Sequence, residues 1–203
     1  MKKIKLLSLL LLMLFAFVSC DETEEAGEFD NWQVRNTMYI DSIAEVARAN
    51  ADGSWKVFPA TGLDENREWG NEYYVYCQVL QAGDGVGHPA YTDSVAVNYS
   101  GRLIPSNSYS KGYLFDASYS GEELNPLFDV PAKMVLSGTV NGFSTAVQRM
   151  VAGKTKSSGD IWRVYIPSNL AYGSNKYSGI PAYSALVFEI NLVAFSPAGT
   201  PLF

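Results

Sequence analysis

The chain has 203 residues, 47% of them apolar, and a net charge of −6 with histidine neutral, which suffices for one domain with a sizeable core. An acidic balance repels nucleic-acid phosphates and anionic lipid surfaces, so nucleic-acid binding and charge-driven membrane binding are excluded. Two cysteines and a single histidine leave little material for a disulfide framework or a metal centre.

Residues 1–19 read as a targeting segment. Lys2, Lys3 and Lys5 form a basic start, and Leu6 to Val18 an apolar core shorter than a membrane span requires. Ser19-Cys20 closes it and resembles a bacterial lipobox, in which Cys20 is acylated and becomes the mature N-terminus. Phe17 departs from that pattern, where Leu or Val is commoner. A lipoprotein is favoured over ordinary secretion. Loss of the three lysines leaves a charge of −9 on the mature chain, so acyl chains and not charge would hold it at a membrane.

Residues 20–30 carry Asp21, Glu22, Glu24, Glu25 and Glu28 without a base, the composition of a solvated tether. The same acidic run resembles the export signal of Bacteroidetes surface lipoproteins.

From residue 31 to 70 a helix and a loop are expected. The helix runs from Asn31 to Asn50 with Asp30 as N-cap, Met38, Ile43, Val46 and Ala47 at helical spacing, and Asp52-Gly53 as its stop. It is expected to pack back on its own domain. Thr61 to Gly70 is polar and loop-like.

Strands dominate from Glu72 onward. Tyr73 to Leu80 is strand-like and contains Cys77, expected as a small buried hydrophobe because Cys20 is committed to lipid. Turn residues Ala82 to Gly85 and Gly87-His88-Pro89 follow, with the sole histidine among them. Val95, Val97 and Tyr99 alternate with Ala96, Asn98 and Ser100 as in a half-buried strand. Gly142 opens a short helix with Phe143, Val147 and Met150 on one face, stopped by Ala152-Gly153. Strands at Trp162–Ile166 and Ala185–Phe195 complete the pattern, the second with Leu186, Phe188, Ile190 and Leu192 facing inward. One short helix among antiparallel strands is an α+β arrangement.

Six pieces occur in order: Gly83-Asp84-Gly85, Val97-Asn98-Tyr99-Ser100-Gly101, Phe115-Asp116-Ala117-Ser118, Gly142-Phe143 with Met150 and Gly153, Ala171-Tyr172-Gly173, and Gly179-Ile180-Pro181 leading into Leu186-Val187-Phe188. Together they resemble the FKBP family of peptidyl-prolyl cis-trans isomerases over roughly residues 72 to 195. The resemblance implies an antiparallel half-barrel sheet curled around one short helix. It sets an isomerase domain at 71–196, preceded by the helical appendage and followed by a tail at 197–203. Isomerisation of X-Pro bonds in unfolded or exported polypeptides is implied, by a monomer without cofactor or metal, lipid-anchored at the outer membrane.

The resemblance also assigns roles. Tyr99, Phe115 and Phe188 would be cavity walls and Phe143 the floor, with Val140 and Ile180 as aliphatic sides and the Val140 amide as a donor. Tyr172 would donate its hydroxyl to a substrate carbonyl, and Tyr177 falls in the following loop as a substrate contact. Asp116, the lone acidic group at the rim, either orients the carbonyl region or pairs with a neighbouring tyrosine; the second is favoured, because a buried carboxylate must be hydrogen-bonded.

The chain departs from the family at several points. Phe143 stands where Trp is usual, Ala132 near a usually aromatic position, the loop Arg102 to Leu114 is longer, and Ser157-Ser158-Gly159-Asp160 is inserted. With one wall expected to be missing at Ala132, and with these two insertions, a non-catalytic chaperone or peptide-binding module at the cell surface is the alternative. An S-x-x-K match, Ser108 to Lys111, sits in a Tyr/Ser/Gly loop without companion motifs and is set aside as a hydrolase signal.

Overall fold

The computed structural model describes residues 27–121, 124–125 and 127–202. The targeting segment, Cys20 and the tether up to residue 26 lie outside the described residues. Residues Asn31–Phe203 form one compact unit.

Seven strands build a single antiparallel sheet in the order β1 (Trp55–Pro59), β2 (Tyr74–Gln81), β6 (Ile161–Ile166), β7 (Leu186–Ser196), β3 (Ser94–Arg102) and β4 (Leu114–Ala117). β5 (Ala132–Val135) pairs with the first half of β3, and β4 with its end. Among the described residues there are two α-helices, α1 (Trp32–Ala49) and the short α2 (Asn141–Val147). Strands plus one short core helix give the expected α+β class.

The period of two along β7 places Leu186, Phe188, Ile190 and Leu192 in the core, all buried. They meet Phe143, Ala146 and Val147 of α2 and Met150 just beyond it. α2 begins at Asn141 and ends at Val147, well before Ala152-Gly153. Met150 reaches the core from a turn in which its N–H donates to the Val147 carbonyl. Cys77 is fully buried, and burial pushes its thiol up, so it serves as packing. The His88 ring nitrogen Nδ1 lies 3.0 Å from the Met150 carbonyl oxygen.

Four expectations are corrected. β3 is not half-buried: strands flank it on both edges, and Ala96, Asn98 and Ser100 are buried as well as Val95 and Val97. β1 lies in the segment expected to be helix and loop alone and extends the sheet through β2. Asp30 is not the helix cap: Asn31 holds that position at φ 51° with no side-chain capping bond, and Asp30 instead accepts the Gly27 N–H at 2.8 Å. The buried stripe of α1 is Trp32, Asn36, Ile40, Ala44 and Ala47, whereas Met38 and Val46 are 66% and 53% exposed.

That stripe explains how α1 docks. Trp32 Nε1 donates to Ser184 Oγ at 2.8 Å, and Asn36 Oδ1 accepts the Ala185 N–H at 2.8 Å. The helix therefore clamps the chain where it enters β7. It lies against the sheet face opposite α2: Tyr39 meets Tyr165 at 6.2 Å, and Tyr165 pairs with Val187, whose direction is opposite to that of Phe188.

Candidate functional site

Between α2 and the strands that face it lies a cavity of about 360 Å³. Adjacent strands β3 and β7 supply its aromatic wall, because Tyr99 and Phe188 point to the same face. Phe188 is the hub. Its ring stands edge-to-face with Phe143 at 5.3 Å and 79°, and with Phe115 at 5.6 Å and 87°. Tyr99 meets Phe143 at 6.1 Å and 80° and Phe188 at 6.2 Å. Such pairs contribute about 0.5–1.5 kcal/mol each beyond the area they bury, so ring contacts hold the wall together without a ligand.

Gly101 permits this cluster. A Cβ there would stand 2.6 Å from Phe115 Cζ and 2.7 Å from Phe188 Cε1, so any side chain would drive the two rings apart.

Seven of the nine residues named from sequence line the cavity: Tyr99, Asp116, Val140, Phe143, Tyr172, Tyr177 and Phe188. The other two support it from behind. Phe115 packs on the Phe188 ring, and Ile180 is buried, anchoring the turn that carries Tyr177. Met134, Gly138 and Thr139 line the cavity and were missed. Met134 follows Ala132 by two residues on β5, so strand alternation puts both on one face, and the thioether of Met134 is present where a missing wall was expected.

Asp116 is exposed at the rim and not buried, which corrects the reason for its hydrogen bond but not the bond itself. Tyr99 Oη donates to Asp116 Oδ2 at 2.7 Å. Burial first, and this carboxylate second, push the Tyr99 hydroxyl well above the ordinary tyrosine range, so it remains a donor. The Tyr99 backbone is held as well: its N–H donates to Ser118 Oγ at 2.8 Å and its carbonyl accepts the Ser118 N–H at 2.9 Å.

Two donors face the cavity uncommitted. Among the described residues neither the Tyr172 hydroxyl nor the Val140 N–H has a hydrogen-bond partner. Burial, with Tyr177 and Asp116 nearby, raises the Tyr172 hydroxyl above its ordinary value, which keeps its proton in place at neutral pH. Apolar walls and two donors suit an uncharged, carbonyl-bearing ligand. The S-x-x-K residues Ser108 and Lys111 lie in a turn outside this cavity.

Comparison with known proteins agrees with this geometry. Residues 85–193 match the family of FKBP-type peptidyl-prolyl cis-trans isomerases. The chain is similar to the peptidyl-prolyl cis-trans isomerase Mip of Coxiella burnetii, with 37% identity over 58% of this chain and 43% of that protein. It is similar to the outer membrane protein MIP of Legionella longbeachae, with 31% identity over 60% of this chain and 44% of that protein. Its fold resembles the crystal structure of FkpA from Escherichia coli, with a TM-score of 0.57 and 25% identity over 84% of this chain and 63% of that one. The aligned part thus spans less than half the length of the curated relatives named.

Proposed function

This chain belongs to the family of FKBP-type peptidyl-prolyl cis-trans isomerases, and we propose that it catalyses cis/trans isomerisation of X-Pro bonds in exported polypeptides, using the cavity between α2 and the sheet. The observation that carries this is the aromatic enclosure of Tyr99, Phe143 and Phe188, with the uncommitted donors of Tyr172 and Val140 facing into it. Rotation about the bond breaks amide resonance and is opposed by roughly 20 kcal/mol, with uncatalysed times of tens of seconds. The planar amide places negative charge on its oxygen, which water stabilises, and the twisted form carries less of it. An apolar enclosure that replaces water therefore favours the twisted form. Tyr172 and Val140 hold carbonyl oxygens so that the proline ring rests on Phe143, and each 1.36 kcal/mol removed from the barrier is about tenfold in rate. No nucleophile takes part.

Tyr99 and Asp116 act as a pair that fixes the rim, Phe115 and Ile180 as supports, and Tyr177 as a wall. The protein is placed in the cell envelope by an acyl chain on Cys20, as a monomer at the outer membrane, with its isomerase domain at residues 71–196. The name of the Legionella relative supports that location. Met134, which lines the cavity beside the expected gap at Ala132, supports the catalytic reading over a non-catalytic binding module. The test is a peptide series that varies the residue before proline: exchange is accelerated more for Leu or Phe than for Glu, and equal acceleration across the series contradicts an apolar enclosure.

A further inference from the structure

The sheet face turned away from α2 holds a larger cavity, of about 610 Å³. Three strands build its floor in register. Arg163 pairs with Glu189 and Glu189 with Ser100; beside them Tyr165 pairs with Val187 and Val187 with Arg102. Helix α1 forms one wall through Tyr39. The opposite wall is the long loop after β3, and that loop is pinned. The Leu103 N–H donates to the Tyr113 carbonyl at 3.0 Å, and Arg102 Nη1 donates to the Gly112 carbonyl at 3.0 Å. Gly112 has φ +80°, and a Cβ there would lie 1.9 Å from the Leu103 carbonyl oxygen, so only glycine lets the loop fold back this closely. Lys111, the residue before it, is thereby placed at the edge of the groove.

The charges of this groove run against those of the chain. Among the described residues Arg102, Lys111 and Arg163 line it with Glu189 as the one carboxylate, in a protein of net charge −6. Glu189 accepts Arg163 Nη2 at 3.2 Å and so orients it, whereas Arg102 and Lys111 form no ion pair among the described residues. Tyr39 and Tyr119 line the same groove. Among the described residues its lining carries three cationic side chains against one carboxylate.

Spacing selects among anionic ligands. Arg102 and Arg163 sit two strands apart and two residues out of step along β7, which separates their Cα atoms by about 12 Å. A compact anion meets both only if the two side chains converge on it, which the Arg163–Glu189 pair and the Arg102 bond to the Gly112 carbonyl oppose. An extended chain presents side chains on one face about every 6.8 Å and can engage them in series. We propose that this groove docks an extended acidic segment of a partner polypeptide, on the face opposite the prolyl cavity.

The test is fluorescence anisotropy of the full-length protein with a labelled hexaglutamate peptide. Binding is expected at low ionic strength and should weaken steadily as salt is added. Lys111→Gln and Arg102→Gln should each weaken it about threefold, the size of a partly exposed charge pair. Lys111→Glu should weaken it further, while Tyr172→Phe leaves it unchanged. Lys111 is exposed, so an unaltered unfolding midpoint in its variants shows that lost binding is not lost folding. No binding at low salt, binding insensitive to Lys111→Glu, or equal binding of hexalysine overturns the proposal. Citrate displacing the peptide at concentrations as low as the peptide's own Kd also overturns it, in favour of a small-anion site. These outcomes hold whether or not the protein isomerises proline.

Discussion

Tyr177 lies face to face with Tyr172, their ring centroids 4.2 Å apart and their planes 10° from parallel. The stack is held by a turn in which Tyr177 and Ile180 exchange backbone hydrogen bonds of 3.1 and 2.7 Å, with positive φ at both Ser178 and Gly179 as a tight hairpin turn requires. Ile180 is buried and anchors the turn, so a 54% exposed Tyr177 still fixes the ring that carries the free hydroxyl.

Tyr177→Ala should therefore leave folding intact and lower kcat between about twofold and tenfold, since an aromatic pair is worth about 0.5–1.5 kcal/mol. Tyr177→Phe keeps the stack and should stay near wild type. Kinetics in which both variants behave alike would remove Tyr177 from the positioning of Tyr172.

Docking of α1 is tested by stability. Trp32 is 6% exposed and hydrogen-bonded to Ser184, so Trp32→Ala should cost about 3–5 kcal/mol in urea unfolding. Met38→Ala and Val46→Ala should fall within about 0.5 kcal/mol of wild type, because both side chains are mostly in water. The reverse order would mean that the helix docks by its other face.

Legibility in the sequence followed how a burial is achieved. Where apolar residues alone make the core, as along Leu186, Phe188, Ile190 and Leu192, alternation identified the inward face. On α1 the docking stripe includes Asn36, whose carboxamide is satisfied by the Ala185 N–H and the Trp32 carbonyl. A hydrophobic pattern cannot register such a residue, and Met38 and Val46 took its place. β1 went unseen because a five-residue edge strand ending at Pro59 carries too short a period. At the site, motif order identified seven lining residues. Met134, Gly138 and Thr139 escaped because they contribute by position along β5 and the turn after it, not by a distinctive residue type.

Alkaline pH offers a separate check. Burial is the first cause that pushes Tyr39 and Tyr76 each up to about 12 from an ordinary value of 10.0. A folded value above the unfolded one means that the stabilisation is fully present below pH 10 and lost as pH rises through 12, where the unfolded chain has given up protons that the folded one retains. Urea midpoints should fall across that window, and Tyr39→Phe should flatten the fall. A profile level from pH 9 to 12 contradicts the burial of both hydroxyls.

The proposed anchor is an acyl chain on Cys20. Cys20→Ser should leave a form that is neither processed nor acylated, because both steps need the thiol. Fractionation after high-salt washing reads the outcome, and normal processing with retention in membranes would exclude the lipobox.

The most direct measurement is the exchange rate of a Leu-Pro peptide followed by NMR in the presence of the soluble domain, its Tyr172→Phe variant and its Phe188→Ala variant. Wild type should accelerate exchange well beyond the uncatalysed tens of seconds. Tyr172→Phe should lower the rate with an unchanged unfolding midpoint, and Phe188→Ala should lower both, the stability by about 3–5 kcal/mol. A folded, monodisperse wild-type sample that leaves the exchange rate at its buffer value would contradict catalysis by this cavity.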